Sequence, residues 1–257
     1  MAKRSHQPGP WSAITSAGRL VLILVLIPFL LPFHFASRGK PPPSPVARMA
    51  LQWATRLLRL RVVVEGEPTE GPVLFVANHV SWADAPILGG LLPVSFVAKS
   101  EIAAWPLIGW LARRAGTVFV ERRRGAVAGQ RDALAARLAG GGQVLLFAEG
   151  VSADGSVVLP FKPALFAAAM AEDVPVQPVT IVYETVGDAP VTDANRRRIA
   201  WVGEAALLPH LWWVLRRGGA DARITIHPPV EPAAFGSRAD LASHCRDIVA
   251  SALPPTN

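Results

Sequence analysis

Short apolar runs, each followed by a helical pattern, dominate the middle of the chain and restrict what it can fold into. They cover residues 73–77, 94–98, 116–120 and 143–148. The runs are rich in β-branched and aromatic residues and too short for buried helices, so they are interpreted as buried strands. Strands that alternate with helices form a sheet whose faces the helices cover. The pattern therefore predicts an α/β fold with a mixed central sheet flanked by helices.

The carboxyl-terminal third continues this pattern. Residues 198–203 and 222–227 are predicted strands, and residues 241–252 are a predicted helix. Between the strands lies an apolar stripe at helical spacing, formed by Leu207, Leu208, Leu211, Trp212 and Leu215. Two interpretations of this stripe stay open: it packs in the core, or it faces lipid.

The residues after the first run place a histidine and a carboxylate five positions apart. Asn78 and His79 directly follow the strand, and Ser81 to Asp84 has the S-x-x-D pattern of a capping box, which indicates the start of a helix. A carboxylate in the first helical turn can accept a hydrogen bond from one imidazole nitrogen and leave the other free to take a proton. This predicts His79 as a general base oriented by Asp84. The alternative is a structural histidine beside an aspartate that only caps the helix.

Arginines follow the third run. Arg122 comes two residues after the strand ends, and the strand places it at the same edge of the sheet as His79. An arginine fork suits a phosphate or a carboxylate, so Arg122 is a predicted binding residue. Arg123 and Arg124 are interpreted as a solvated basic loop.

The stretch N-H-x-S-x-x-D resembles the first signature block of the glycerolipid acyltransferase family, which includes the 1-acylglycerol-3-phosphate acyltransferases. Three further stretches are similar to later blocks of that family and follow in its order. G-x-x-F-x-x-R over residues 116–122 resembles the second block, whose arginine is associated with the acceptor head group. F-A-E-G-V-S over residues 147–152 resembles the third block, usually F-P-E-G-T-R. Residues 174–179 resemble the fourth, a strand whose prolines shape the acyl-donor side.

The resemblance implies an O-acyltransferase that moves a fatty acyl group directly from acyl carrier protein or coenzyme A to a hydroxyl of a lysolipid. His79 would take the proton from the acceptor hydroxyl, and Asp84 would orient the imidazole. The residues that would contact the acceptor are Arg122, Glu149 and Gly150, with Lys99 as a further candidate for the head group or the developing oxyanion. No metal or other cofactor is expected, because a thioester is already activated and no Cys or His cluster has metal-ligand spacing.

The third block departs from the family pattern, because Val151 and Ser152 replace the usual threonine and arginine. The expected acceptor is 1-acylglycerol-3-phosphate, since it is the family's commonest and Arg122 is retained. The missing arginine removes a cation that a phosphomonoester would use, which makes a lyso-ornithine lipid the alternative. Two other classes remain: a serine hydrolase, for which the sequence has no G-x-S-x-G, and a non-catalytic membrane adaptor.

The amino-terminal quarter combines excess positive charge with an apolar core. Residues 1–64 hold nine Lys or Arg and no acidic residue, whereas the remainder holds 17 basic and 19 acidic residues. Residues 20–35 are apolar but are interrupted by Pro28, Pro32 and His34. A straight helix of this length reaches ~24 Å, short of a ~30 Å hydrocarbon core, so a single span, a re-entrant hairpin and an interfacial anchor stay open. Basic residues around an apolar core favour anionic lipid over nucleic acid as the partner.

These features divide the chain into three predicted parts. Residues 1–40 form a basic amino terminus with a membrane-anchoring helical segment, residues 41–62 a proline-rich linker and a basic amphipathic helix, and residues 63–257 the acyltransferase domain. The amphipathic helix, over residues 46–61, either packs in the core or lies in the plane of the lipid headgroups. The single cysteine, Cys245, excludes an intrachain disulfide and fits a reducing compartment. The predicted location is the cell inner membrane, with the catalytic domain on the cytoplasmic side.

Overall fold

The run at residues 73–77 forms the central strand of the sheet. This strand, β2 (Val73–Ala77), has all five side chains fully buried. Its neighbours are β5 (Gln143–Phe147) and β6 (Val176–Val186), and both run parallel to it. A strand flanked on both sides and covered on both faces carries apolar residues at every position, as this one does. The computed structural model describes residues 14–22, 45–105, 108–121, 127–203 and 205–255.

Five further strands within the described residues are β1 (Leu60–Glu65), β3 (Ser95–Lys99), β4 (Val118–Val120), β7 (Ala189–Pro190) and β8 (Ala220–Ile226). Together the eight strands form one sheet in the order β1-β8-β6-β2-β5-β3-β4, with β7 paired to β6. β8 runs antiparallel to β6, whereas β1 is parallel to β8, and β3 is parallel to both β5 and β4. The prediction of a mixed central sheet is therefore confirmed.

Helices cover both faces of this sheet and divide the core into two halves. Alternate side chains of β2 point to opposite halves: Val73, Phe75 and Ala77 to the first, Leu74 and Val76 to the second. The helices on the first face are α1 (residues 14–22), α2 (Pro45–Leu57), α3 (Asp84–Leu91) and α7 (Leu207–Arg217). Those on the second face are α5 (Val127–Ala139), α6 (Phe166–Ala171) and α8 (Arg238–Ser251).

The helix predicted over residues 46–61 ends earlier, at Leu57, and β1 follows it. Polar side chains on its inner side bond carbonyl oxygens at the end of α3: Arg48 Nη2 donates to Leu91 O at 2.8 Å, and Gln52 Nε2 to Gly90 O at 2.9 Å. Its outer side exposes Met49 and Trp53. One side of α2 therefore packs on the domain while the other carries large exposed apolar side chains.

Two other sequence-based predictions are wrong in detail. Residues 198–203 are not a strand, because Trp201 N donates to Val80 O at 2.9 Å and Ser152 Oγ donates to Trp201 O, so this segment is tied to two loops instead of a neighbouring strand. The helical pattern that follows the second apolar run, over residues 102–114, predicts one helix, whereas the structure has a 3₁₀ turn, Ser100–Ala104, and then α4 (Ile108–Arg114).

The predicted anchor falls largely outside the described residues, which omit 23–44. In the part of the chain that is described, no helix is both long enough and apolar enough to cross a membrane. The described part of this region is α1, where Ser16 Oγ donates to Leu215 O of α7 at 3.2 Å. α1 is thus docked on α7, and the membrane-anchoring role of residues 20–35 stays a prediction.

Candidate active site

His79 and Asp84 meet at the carboxyl end of β2. His79 Nδ1 lies 2.7 Å from Asp84 Oδ2, and the backbone N–H groups of Val80 and Ser81 donate to the same oxygen at 2.8 and 2.9 Å. Asp84 is the first residue of α3 and its exposure is 0%. The convergent donors fix the carboxylate against the imidazole. Because Nδ1 is occupied by Asp84, Nε2 is the ring nitrogen that can take a proton from a substrate.

The predicted capping box forms only in part. Asp84 accepts from the backbone of Ser81, as the motif requires, but the Ser81 hydroxyl is buried without a hydrogen-bond partner among the described residues. The residue that precedes the helix is Ala83, which makes no side-chain cap. The Asp84 carboxylate is turned toward His79 and the loop, so its contacts serve the imidazole as well as the helix start.

An apolar wall holds the imidazole ring. The ring of His79 stacks on the ring of Phe147, with centroids 4.1 Å apart and an interplanar angle of 18°. The ring of Phe96 in turn packs against that of Phe147, with centroids 6.3 Å apart. Phe147 is the last residue of β5, so the strand that carries the third sequence block also supports the base. Stacking and the bond to Asp84 together restrict the ring to one orientation.

Glu149 lies beside His79 and is almost completely buried, with 2% exposure. The backbone N–H of His79 donates to its Oε1 at 3.4 Å, while its Oε2 has no hydrogen-bond partner in the described part of the chain. Burial raises the pKa of Glu149 to about 8, so this carboxyl is largely protonated at neutral pH. A neutral acid next to the base can both donate to and accept from a bound hydroxyl.

Gly150 allows a lysine to approach the same turn. Its φ is +70°, a left-handed conformation that favours glycine, and a Cβ there would lie 2.9 Å from Lys162 Nζ. Lys162 is held in place by its backbone, whose N–H donates to Ala148 O at 2.8 Å. Ser152, which stands where the family has arginine, instead donates its hydroxyl to Trp201 O. The cation beside this turn is therefore Lys162, which the sequence analysis did not identify.

The other predicted binding residues are only partly defined. Lys99 is the last residue of β3 and is exposed, at the same edge of the sheet as His79 and Glu149 but beyond β5. Arg122 lies outside the described residues, and its binding role stays a prediction. Among the described residues, no group of three or more His, Cys, Asp or Glu side chains could hold a metal ion.

A tyrosine that the sequence analysis missed contacts the second oxygen of the aspartate. Tyr183 Oη donates to Asp84 Oδ1 at 2.7 Å from β6, 99 positions along the chain. Burial and the negative charge of Asp84 raise the pKa of Tyr183 well above its ordinary value, so the hydroxyl remains a donor. The one local signal was that this is the only tyrosine of the chain.

Comparison with known proteins agrees with this geometry. Residues 59–182 match the family described as acyltransferase. The lyso-ornithine lipid O-acyltransferase of Brucella abortus (strain 2308) is 39% identical over 250 residues, which cover 92% of this chain and 93% of that protein. The 1-acyl-sn-glycerol-3-phosphate acyltransferase of Neisseria gonorrhoeae is 39% identical over 112 residues, 43% of this chain and 44% of that protein.

The fold is also similar to a solved structure. The crystal structure of the 1-acyl-sn-glycerophosphate acyltransferase from Thermotoga maritima superposes with a TM-score of 0.67 over 93% of both chains, at 24% sequence identity. At that identity the likeness concerns the fold alone, whereas the Brucella relative matches nearly the whole sequence. The chain therefore belongs to the acyltransferase family and is an acyltransferase.

Proposed function

We propose that this acyltransferase moves a fatty acyl group from a thioester of acyl carrier protein or coenzyme A to the hydroxyl of a lyso-ornithine lipid, at a membrane surface. The observation that carries the chemistry is the 2.7 Å contact between His79 Nδ1 and the buried Asp84 carboxylate. A histidine oriented by a buried carboxylate, with its second nitrogen available, is the arrangement expected of a general base.

The proposed reaction is a direct transfer. His79 Nε2 removes the proton from the acceptor hydroxyl as its oxygen attacks the thioester carbonyl, and Asp84 stabilises the imidazolium that forms. The tetrahedral intermediate then expels the thiolate, which takes the proton back from His79. General-base assistance of this kind contributes about 10²- to 10⁴-fold in rate. The neutral Glu149 side chain is suited to hold the acceptor hydroxyl, because a protonated carboxyl beside His79 can donate a hydrogen bond to it.

Two observations support the lyso-ornithine acceptor. The Brucella relative named for that lipid aligns with 92% of this chain, whereas the Neisseria relative named for 1-acyl-sn-glycerol-3-phosphate aligns with 43%. Ser152 stands where the family's arginine would be, and its hydroxyl is bonded to Trp201 O, which leaves Lys162 as the cation beside Gly150. The loss of that arginine removes one cation, which suits an amino-acid head group with one carboxylate better than a phosphomonoester.

The second candidate acceptor is 1-acylglycerol-3-phosphate, the acceptor expected from the sequence. Lys162 and the predicted binding residue Arg122 would be its phosphate ligands. Under the preferred proposal, Ser152→Arg restores the family's cation and raises kcat/KM for 1-acylglycerol-3-phosphate relative to the lyso-ornithine lipid. An unchanged ratio would mean that position 152 does not contact the head group.

The test is thiol release from acyl-coenzyme A or acyl carrier protein by purified protein, with each acceptor bearing the same acyl chain. We expect kcat/KM to be at least about tenfold higher for the lyso-ornithine lipid, the ratio that one lost charge-assisted hydrogen bond produces. His79→Ala should abolish release, whereas His244→Ala, an exposed histidine on α8, should not. Preference for 1-acylglycerol-3-phosphate would establish the second candidate, and release without any acceptor would indicate a hydrolase.

The membrane part of the proposal is supported by the outer sides of α1, α2 and α7, called here the basic apolar face. Among the described side chains of helices, every large apolar one that is exposed lies on these three: Ile14, Val21, Leu22, Met49, Trp53 and Leu208. Leu208, in the stripe left open by the sequence, is 70% exposed. At the other end of that stripe Leu215 is buried in the core, and Leu211 is partly buried against it.

The charges of this face have one sign. The three helices carry no acidic residue; apart from Arg48, which bonds to α3 on the inner side of α2, their arginines are Arg19, Arg56, Arg216 and Arg217. Arg56 lies over the ring of Trp53 at 5.6 Å, and Arg217 over Trp213 at 5.3 Å. Helices that expose aromatic, aliphatic and cationic side chains lie in the interface of anionic bilayers. The cytoplasmic side of an inner membrane is the location that we propose.

Single-site labelling of the full chain tests the orientation. Cys245 is buried, so a cysteine introduced by Trp53→Cys takes an environment-sensitive dye alone, and Arg238→Cys on α8 provides the control on the opposite face. Vesicles containing phosphatidylglycerol should shift the emission of the dye at position 53 to the blue and leave the dye at position 238 unchanged. Equal responses at both positions would contradict the proposed orientation.

A further inference from the structure

The second oxygen of the Asp84 carboxylate has a donor of its own. Asp84 Oδ2 receives three N–H groups, from the His79 ring and from the backbone of Val80 and Ser81, whereas Oδ1 receives the Tyr183 hydroxyl at 2.7 Å. Tyr183 is 5% exposed and Asp84 is 0% exposed, so water does not substitute for this donor. In the described part of the chain, Tyr183 is the donor to Oδ1, and its loss leaves a buried charged oxygen unsatisfied.

The path of β6 delivers the tyrosine to this position. β6 pairs with β2 only as far as Val179, opposite Ala77, and then continues past the end of β2. Tyr183 lies four residues further on, ~13 Å along an extended strand, which is the region occupied by the loop that holds His79 and Asp84. The ladder between β6 and β8 then changes register between Tyr183 and Thr185, a bulge of the kind that aims side chains next to active sites.

The extension of β6 is fixed to that same loop. The Asn78 side chain takes the place of a neighbouring strand: Ile181 N donates to Asn78 Oδ1 at 2.8 Å, and Asn78 Nδ2 donates to Ile181 O at 3.0 Å. Ile181 and Tyr183 are two residues apart and therefore point to the same face of the sheet, where both belong to the first half of the core. The hydroxyl of Tyr183 thus approaches Asp84 on a backbone that is hydrogen-bonded on both sides.

We propose that Tyr183 is a positioning residue for the acyl transfer, which holds the Asp84 carboxylate in the rotation that keeps His79 Nδ1 protonated and Nε2 directed at the acceptor. The inference rests on the proposed role of His79 as the base. Without the hydroxyl, Oδ1 has no donor from β6, and the carboxylate is held against Nδ1 only through the bonds to Oδ2. Tyr183 contacts neither substrate in this scheme and acts entirely through Asp84.

The first experiment separates positioning from packing. Tyr183→Phe removes one oxygen and keeps the ring, and Ile181→Val is a matched control that perturbs the same face of the same strand without touching Asp84. We expect Tyr183→Phe to lower kcat about tenfold with KM for donor and acceptor changed less than about twofold, and Ile181→Val to leave kcat unchanged. An unchanged kcat in Tyr183→Phe overturns the proposal.

A double-mutant cycle then tests whether the effect passes through Asp84. In an Asp84→Asn background, adding Tyr183→Phe should lower kcat by less than about twofold, because the group that the hydroxyl positions has already been changed. The same tenfold loss in both backgrounds would show that Tyr183 acts independently of Asp84 and would refute the inference. Retention of activity by His79→Ala, in contrast, would refute the proposed function itself.

A spectroscopic measurement tests the contact without any assay of activity. Because Tyr183 is the only tyrosine of the chain, the Raman Fermi doublet of tyrosine reports one hydroxyl. In the wild-type protein the two bands of the doublet should have the intensity ratio that is typical of a tyrosine hydroxyl donating strongly to a carboxylate. Asp84→Asn should shift this ratio toward the value of a weaker hydrogen-bond donor. Identical doublets in the two proteins would show that the bond to Asp84 is absent, and this result stands even if Tyr183→Phe does not fold.

Discussion

The protonation of Glu149 should make the stability of the protein depend on pH with a definite sign. Burial raises the pKa of this carboxyl from its ordinary value of 4.5 to about 8, so the folded protein binds the proton more tightly than the unfolded chain. The resulting stability is complete below pH 4.5 and is lost as the pH rises toward 8. At ~1.4 kcal/mol per pKa unit, the free energy of unfolding should fall by about 2–3 kcal/mol between pH 6 and pH 9 from this group alone.

Glu149→Gln isolates the contribution, because glutamine resembles the protonated acid and does not titrate. The assay is urea unfolding in detergent, followed by tryptophan fluorescence at several values between pH 6 and pH 9. Other groups titrate equally in both proteins, so the difference between their unfolding free energies should grow by about 2–3 kcal/mol in favour of the variant. Glu172→Gln, at an exposed site after α6, is the matched control and should follow the wild type.

The reasoning fails if the difference between wild type and Glu149→Gln stays constant across this range. Constancy would mean that Glu149 is ionised in the folded protein at neutral pH, and that its role beside His79 is that of an anion. If the neutral form is the active one, the wild type should also lose transfer activity above pH 8 while Glu149→Gln retains it.

Three further predictions concern residues around the site and in the core. Gly150→Ala should lower the free energy of unfolding in urea by about 1–2 kcal/mol, because alanine is strained at φ +70° and its Cβ displaces Lys162 Nζ. Equal stability of variant and wild type would contradict the left-handed turn. Asn78→Ala should lower the free energy of unfolding by about 2–3 kcal/mol, since it leaves the N–H and C=O of Ile181 unpaired. A loss no larger than that of Asn195→Ala, at a less buried asparagine in a surface turn, would count against this bridge. Burial raises the pKa of Cys245 to about 12, so iodoacetamide should not modify it at pH 8 except in urea, as measured by mass spectrometry.

The sequence predicted those elements whose pattern is local. β2 and β5 are apolar runs, and β8 alternates apolar and polar residues. Such patterns need no distant information, and the structure contains these strands within two residues of the predicted bounds. β1 was merged into the preceding helix, because only Leu60 of this edge strand is buried and its identity as a strand depends on β8, far along the chain. Residues 198–203 show the opposite error, because they were predicted as a strand from their apolar residues but are hydrogen-bonded to loops instead of strands.

The residues of the site likewise include some that the sequence predicted from local motifs and some that it did not. His79, Asp84, Glu149 and Gly150 belong to short motifs at strand ends, and the structure brings them to one edge of the sheet. Tyr183 and Lys162 have no motif, since each reaches the site through strand pairing or through a turn held by a distant backbone. Proximity of that kind is a property of the assembled sheet and cannot be found in a window of sequence.

The pairing of β1 with β8 has a consequence for how the chain is made. Arg61 and Asp221 form an ion pair across these adjacent strands although 160 positions separate them. At ~5–20 residues per second, a ribosome needs roughly 8–30 s to synthesise that interval. During this time β1 has been made, but β8, the strand that it pairs with, has not. The edge of β6 that pairs with β8 is also unpaired once β6 has been made. The sheet can close only after β8 has been synthesised, so a nascent chain stalled before Ala220 presents two open strand edges to chaperones and to other chains.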